Sequence, residues 1–394
     1  MSNESPFFLS KVECPICKTI NEFETVKLGA YYENGRDTDF CPQDIKWRFP
    51  RYQSYNPLVF FTATCSNCYY TREFTNNFKE WKKDQTFRLY RLKTVKEKHL
   101  DKLANADSII RSMGEAIDPG RHPNKSGIIK IHLAIFDELL SERFSNLDLG
   151  RFYLRIGWIF RDLAKGANPN IQLLLGLLHE IDNKYLAYKN EFSASRDELG
   201  VFTKHLSAHF ETDQLAADIK SRIYPYRDKF NEQIIEIQKS MESTDEKISA
   251  FSRMMDEYKE EALGIDSSSG EVNFGNYHSF TEFLMAMKKY WDGVVSNERE
   301  ALEKAVLYYK KAFADGNEIS QGNQQIQASY LIAELSRRIG DFDEARQYFN
   351  STIKHGQEFI YQNRNDKSRT ALARKILELA IEQGKVNMEA LKSV

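Results

Sequence analysis

Two Cys-x-x-Cys pairs, Cys14-Pro15-Ile16-Cys17 and Cys65-Ser66-Asn67-Cys68, constrain this chain more than any other feature, because all five cysteines precede residue 70 and none occurs in the long remainder. In such a knuckle the tight turn puts both sulfurs on one side of the backbone, so two knuckles supply the four corners of a tetrahedron around Zn²⁺. Soft thiolates select zinc over hard cations such as magnesium. The spacing between the pairs exceeds that of compact zinc fingers and suits a small sheet held between them. The competing readings are redox thiols, buried unligated cysteines or a disulfide; no βαβ pattern flanks either pair, so the redox arrangement lacks its usual context. Cys14, Cys17, Cys65 and Cys68 are therefore the expected ligands of a structural zinc. Cys41, between the knuckles, is either a small buried hydrophobe near the metal or a substitute for one of the four.

A chain of 394 residues exceeds the size at which one core usually stops growing, so two or three units are expected. With 55 basic and 57 acidic residues the chain has no overall attraction to polyanions, and nucleic-acid binding would need a local patch. The first ten residues lack a basic segment and a long apolar run, and nowhere do about 18 apolar residues run uninterrupted as a membrane span requires. A cytoplasmic protein without a membrane span is expected.

Residues 1–80 read as a β-rich module, with short aromatic and β-branched runs punctuated at Asn34-Gly35 and Asn56-Pro57. From residue 81 to 263 the texture is helical. It opens on a basic helix at 81–103, breaks at Asp118-Pro119-Gly120 and Pro123, and resumes at 128–144 and 147–165. After a turn at Asn168-Pro169-Asn170 a long-helix insertion follows, read as at least three helices because Pro225 should break the hydrogen-bond ladder. A coiled-coil hairpin is one reading of this run, set against an apolar spacing between Ile223 and Tyr258 that drifts from a clean seven-residue repeat. Residues 264–276, with Ser267-Ser268-Ser269-Gly270, read as a linker.

Residues 277–394 carry five segments of solenoid-helix length. Leu331-Ile332-Ala333, Gly340, Phe342, Ala345 and Phe349 place small residues, a turn glycine and aromatics as a tetratricopeptide hairpin needs them. Ala305, Tyr309 and Ala312 echo Ala345, Phe349 and Thr352 at an offset of 40 residues, longer than the usual period of about 34. The expected fold is thus mainly α, with a small β-rich zinc module and tetratricopeptide-like helical repeats.

The order Cys14-Pro15-Ile16-Cys17, Asp37-Thr38-Asp39-Phe40-Cys41-Pro42, Tyr55-Asn56-Pro57 and Cys65-Ser66-Asn67-Cys68-Tyr69 resembles the bacterial DUF2225 family of unknown function. The resemblance covers residues 10–75, and the later helical part looks similar at Tyr153-Leu154-Arg155-Ile156-Gly157-Trp158 and at 330–345. It implies a zinc-ribbon-like head on a tetratricopeptide-like body and supplies no reaction. The chain departs from the family pattern at Tyr69, where glycine usually follows the second knuckle, at 46–51, and in a longer middle over 170–276.

Other signals point to function more weakly. His205 and His209 stand four apart on a helix with Asp213 four further on, but no glutamate lies between the histidines as in a zinc-protease helix, so a solvated face is the expected reading. The basic stretch 79–98 interleaves Lys79, Lys82, Lys83, Arg88, Arg91, Lys93, Lys96 and Lys98 with Trp81, Phe87 and Tyr90, groups that can contact phosphates and stack on bases. No phosphate loop, dinucleotide fingerprint or nucleophile elbow occurs. The leading reading is a non-catalytic scaffold whose helical groove takes a protein or peptide partner. Nucleic-acid binding by the zinc module and basic helix is the second, and a metal or thiol enzyme the third.

Overall fold

The computed structural model describes residues 5–166, 169–212, 214–264 and 274–393. Asn168, Asp213 and the serine-rich part of the expected linker lie outside them. The chain forms two compact units, residues 1–166 with 273–394, and residues 167–272. It is mainly helical, with a small β-rich N-terminal region that contains the cysteines.

Three antiparallel two-stranded hairpins make that region: β1 (Phe7–Glu13) with β2 (Ile20–Val26), β3 (Tyr31–Arg36) with β4 (Pro42–Trp47), and β5 (Thr62–Thr64) with β6 (Thr71–Glu73). Sheets this small cannot bury much on their own. The deficit is met by aromatics: Phe7 packs with Trp47, Tyr52 and Phe60 at ring separations of 4.5–6.3 Å. It is met also by the following segment, since Phe78, Trp81, Phe87 and Val95 share one cluster with Val12, Ala63, Tyr70 and the cysteines.

That recruitment alters the basic helix. Residues 81–83 form a turn, because the Trp81 indole N–H reaches back to the carbonyl of Glu13 at 2.7 Å. Helix starts only at residue 85, passes through a π turn at Phe87–Arg91 and continues as α2 (Leu92–Ala104) after the short α1 (Asn76–Lys79). Trp81 and Phe87 are buried, whereas Tyr90 is exposed.

The helices α3 (Ile109–Glu115), α4 (Pro123–Leu139) and α5 (Asn146–Gly166) precede the long insertion. Pro123 does not delay α4, because it occupies the first helical turn, where its missing N–H has no intrahelical acceptor to lose. After the insertion come α8 (Phe280–Lys288), α9 (Glu298–Asp315), α10 (Asn323–Ile339), α11 (Phe342–Gln362) and α12 (Lys367–Ser393). Helix α5 lies close on α9 because its glycines leave room: a β-carbon at Gly157 would stand 3.0 Å from Leu302, and one at Gly150 3.1 Å from Tyr309. Gly340 ends α10 in the left-handed conformation (φ +88°), and the amides of Gly340 and Asp341 return to the carbonyls of Arg337 and Ser336. The chain reverses there, and Ala333, Ala345 and Phe349 meet in one cluster with Tyr330 and Ile376.

In the second unit, α6 (Pro169–Glu211) and α7 (Ala217–Gly264) are single helices that pack on each other. Tyr185 packs against Phe251 at 5.3 Å with the rings tilted and donates to the Ile248 carbonyl, and Phe210 meets Phe230 at 6.2 Å. Pro225 lies inside α7 and does not end it. Its cost of about 3 kcal/mol is local, and packing resumes at Phe230. The drifting period also has a cause. Ile219, Ile223, Tyr226, Phe230, Ile234, Ile237, Met241, Thr244, Ile248, Phe251 and Met255 alternate steps of four and three, with one extra step of four at Phe230. Such a stutter shifts a coiled-coil seam without abolishing it.

The β3–β4 connection docks the β-rich region onto the helices. Asp39, fully buried, accepts from Arg161 through both carboxylate oxygens (3.0 and 2.8 Å), from the Trp158 indole at 3.2 Å and from the Cys41 amide at 3.2 Å. Asp37 bridges Arg161 and Arg338 at 3.1 and 2.7 Å, and the Tyr330 hydroxyl donates to the Thr38 carbonyl at 2.8 Å. Burial works against the charge of Arg161, but the hydrogen bonds and charges of Asp39 and Glu298 outweigh it and raise its pKa further. Arg161→Met should therefore cost about 3–5 kcal/mol in chemical denaturation by stranding a buried carboxylate. Adding Asp39→Asn should recover part of that loss, and a neutral Arg161→Met would show that the pair does not anchor the loop.

Candidate functional site

Both knuckles sit at the tips of hairpins, and the two have the same backbone. In the first, the Cys14 amide donates to the Thr19 carbonyl at 2.8 Å and the Lys18 amide to the Cys14 carbonyl at 3.1 Å; in the second, Cys65 to Tyr70 and Tyr69 to Cys65 are both 2.9 Å. The residue after each knuckle is left-handed, Lys18 at φ +68° and Tyr69 at φ +61°. That is why glycine suits the position and why a tyrosine there needs compensation. Gly114 of α3 provides it: a β-carbon at Gly114 would lie 2.1 Å from the Tyr69 ring.

The hairpins face each other with the sulfurs inward. All four Sγ atoms lie within 4.8 Å of one another, Cys14 to Cys68 at 3.7 Å and Cys17 to Cys65 at 3.5 Å. A metal–sulfur bond of about 2.3 Å in a tetrahedron sets sulfurs about 3.8 Å apart, whereas a disulfide draws them to about 2.05 Å. All five cysteines are free thiols. The four can hold one metal ion.

Electrostatics and outer contacts fit that use. Hydrogen bonds from Cys14 and Cys68 hold the Cys65 thiol far below its ordinary range, and the same sharing pushes Cys14 up to about 12 and Cys68 higher still. A central dication removes this competition, because each sulfur then faces the cation instead of a second thiolate. The Asn21 amide donates to Cys65 Sγ at 3.4 Å, while its oxygen accepts from the Ser66 amide and hydroxyl at 2.9 Å. His99 joins the second knuckle to α4, with Nε2 at 2.8 Å from the Cys68 carbonyl and Nδ1 at 2.6 Å from Asp137. Burial opposes the imidazolium, but Asp137 outweighs it and raises the His99 pKa, consistent with both ring nitrogens facing acceptors. Such partners orient ligand-bearing segments. His99 and Asp137 escaped sequence analysis because neither belongs to a recognisable spacing.

Cys41 stands outside the four-sulfur group. It is buried beside Asp39, and burial together with the Asp39 charge pushes its thiol up to about 12. His205 and His209 are exposed on α6, and among the described residues the four cysteines are the group within ligand distance.

A second feature is a cavity of about 910 Å³ walled mainly by three helices, with Tyr309 of α9 also lining it. One face of α5 contributes Leu147, Arg151, Leu154, Arg155 and Trp158; α10 contributes Gln324, Gln327, Ala328 and Leu331; α12 contributes Leu372, Lys375, Ile376 and Leu379. Each set follows the three- and four-residue steps of one helical face. The β3–β4 tip, from Glu33 to Pro42, closes one side.

A family profile described as "Uncharacterized protein conserved in bacteria (DUF2225)" matches residues 7–242 and 284–375. The chain belongs to this family. The DUF2225 match extends well past the knuckle motifs, through α6 and into α7, leaving 243–283 as the internal stretch outside it. No curated protein matches, and no solved structure does. The motifs that carried the resemblance fall at the sulfur cluster, at the docking of the β3–β4 tip, and at the turn that begins at Asn56. Asn56, for instance, caps the turn Pro57–Phe60 and donates to Asp162 at 3.1 Å.

The Tyr69–Gly114 contact is testable by a double-mutant cycle. Gly114→Ala should lower stability by about 1–3 kcal/mol in urea titration, as overpacking does. In a Tyr69→Gly background the same change should be nearly neutral. Equal losses in both backgrounds would exclude the contact.

Proposed function

We propose that the chain is a zinc-stabilised, non-catalytic interaction scaffold: Cys14, Cys17, Cys65 and Cys68 hold one structural Zn²⁺, and the groove between α5, α10 and α12 receives a peptide or protein. The observation that carries this reading is the contrast between the two sites. A shell of four thiolates leaves a tetrahedral ion no open position for water, and three of its four cysteines are buried. The groove is open and large, and apolar side chains such as Leu147, Leu372 and Leu379 share its lining with charged ones such as Arg151, Arg155 and Lys375. The reversal at Gly340, with Ala333, Ala345 and Phe349 at the contact, supports a tetratricopeptide-like body, whose stacked helices create concave surfaces. The nucleic-acid reading keeps exposed Lys93 and Lys98 but loses Trp81 and Phe87, which are committed to the core. No described helix is long and apolar enough to cross a membrane.

Zinc, when bound, supplies no reaction here; it cross-links the two hairpins, and the residues around it hold their tips in register. Protein purified without chelators should contain one zinc per chain by elemental analysis; iron instead, or no metal, would remove the zinc assignment. Cys65→Ser should abolish metal retention and raise hydrogen exchange in β1, β2, β5 and β6 well before α10 and α11.

Leu372, 43% exposed on the groove wall, offers a probe of the groove that spares the core. Leu372→Glu should reduce partner recovery at least tenfold in cross-linking from native cells while leaving metal content and melting temperature unchanged. Full recovery with that variant would move the binding surface elsewhere.

A further inference from the structure

Three arginines on α5 are treated very differently by their surroundings. Arg161 holds Asp37, Asp39 and Glu298, and Arg151 holds Asp148 and Glu73. Arg155, half-buried between them, has no carboxylate within ion-pair distance among the described residues. Its guanidinium stacks on the Phe61 ring at 4.1 Å and spends one N–H on the Arg151 carbonyl at 3.2 Å. Burial and the like charge of Arg151 both disfavour its cation and lower its pKa. A guanidinium in this position is ordinarily matched by a planar anion, since its remaining N–H groups form a fixed fork.

Arg155 lines the groove, and so does Lys375 of α12, an exposed ammonium likewise without a carboxylate partner among the described residues. Acidic groups also line the cavity, but they are engaged: Glu33 pairs with Arg36 at 2.9 Å, and Asp37 with Arg161 and Arg338. The balance left unmatched inside the groove is positive. Leu372 supplies exposed apolar surface beside these cations, over a floor of buried Leu154, Leu331 and Ile376.

We infer that the groove recognises an extended peptide segment carrying a carboxylate beside leucine-like side chains, with Arg155 as the anion-pairing residue and Lys375 as its second cation. Phe61 and the Arg151 carbonyl fix the plane of the guanidinium, so the fork is in place before the ligand arrives and little side-chain entropy is lost on binding. Lys375, on a flexible stem, contributes attraction more than geometry. The inference rests on the scaffold reading and adds the chemistry of its partner. The carboxylate is that of an acidic side chain within the segment, and a free C-terminus is the alternative that the test separates from it.

The test is fluorescence anisotropy on the full-length, metal-loaded protein. The probe is a fluorescein-labelled peptide of alternating leucine and glutamate with an amidated C-terminus. Companion peptides replace glutamate by glutamine, with either a free or an amidated C-terminus, or replace it by phosphoserine. The glutamate peptide should bind at least tenfold tighter than its amidated glutamine counterpart, and binding should weaken as salt rises. If the glutamine peptide binds only with its free C-terminus, the terminal carboxylate is the recognised group. Arg155→Gln should reduce affinity tenfold or more, Arg155→Lys less, and Lys375→Gln about threefold, with metal content and melting temperature unchanged.

Equal binding of the amidated glutamate and amidated glutamine peptides, tighter binding of the phosphoserine peptide, or wild-type affinity in Arg155→Gln would each overturn the inference. If Arg155→Gln still recovers native partners that Leu372→Glu loses, the groove stands as a binding surface and the carboxylate assignment falls. If neither variant alters recovery, the groove reading itself falls.

Discussion

The buried ion pair between Asp39 and Arg161 is the interaction on which the first unit depends. A carboxylate at the tip of a hairpin would normally face water, and burying it alone costs several kcal/mol. Here every lone-pair direction is met, by the guanidinium of Arg161, the indole of Trp158 and the amide of Cys41. The pair therefore acts as a key more than as a source of stability. It admits the β3–β4 tip in one orientation, which also sets Asp37 between Arg161 and Arg338 and brings Phe40 to 5.5 Å from the Tyr330 ring. With the tip in place, the groove acquires its closed side.

The cysteine cluster is built on a different economy. Two hairpins repeat one backbone solution, a Cys-x-x-Cys turn followed by a left-handed residue, and each contributes two sulfurs to a common centre. Sheets of two strands have little core of their own. Packing of the two knuckles on each other, together with Trp81, Phe87 and Val95 borrowed from the following segment, makes good that lack. His99 extends the support to α4 through Asp137, so the second knuckle is anchored from both sides. Cys41 lies apart from the four, and burial with a neighbouring carboxylate pushes its thiol pKa up.

The groove gives the first unit a surface distinct from its cysteine cluster. Its walls come from helices separated by the long insertion, so the binding surface proposed here exists only after α5 has packed against α9 and α12 has closed over α10. The insertion is built more simply. Its two helices, about 65 and 72 Å long from their 43 and 48 residues, rely on one seam of apolar and aromatic contacts.

Sequence alone determined the features that local physics controls. The gathering of four cysteines is legible because knuckle spacing is a short-range geometric requirement, and the mainly helical class is legible because apolar periodicity is written residue by residue. Gly340 with Ala333, Ala345 and Phe349 is legible for the same reason: small residues and a left-handed glycine permit only a close helix reversal. Pro225 misled because a helix of 48 residues tolerates a local cost that a short one would not. The basic helix began later than its charge pattern implied because Trp81 found an acceptor at Glu13, 68 residues earlier in the chain. Only the tertiary structure could disclose the Asp39–Arg161 pair, the His99–Asp137 support, the fit of Tyr69 over Gly114 and the unpaired Arg155 between two paired neighbours. A single carboxylate, imidazole or guanidinium carries no spacing signal, and whether it is matched depends on segments that meet only when the chain has folded.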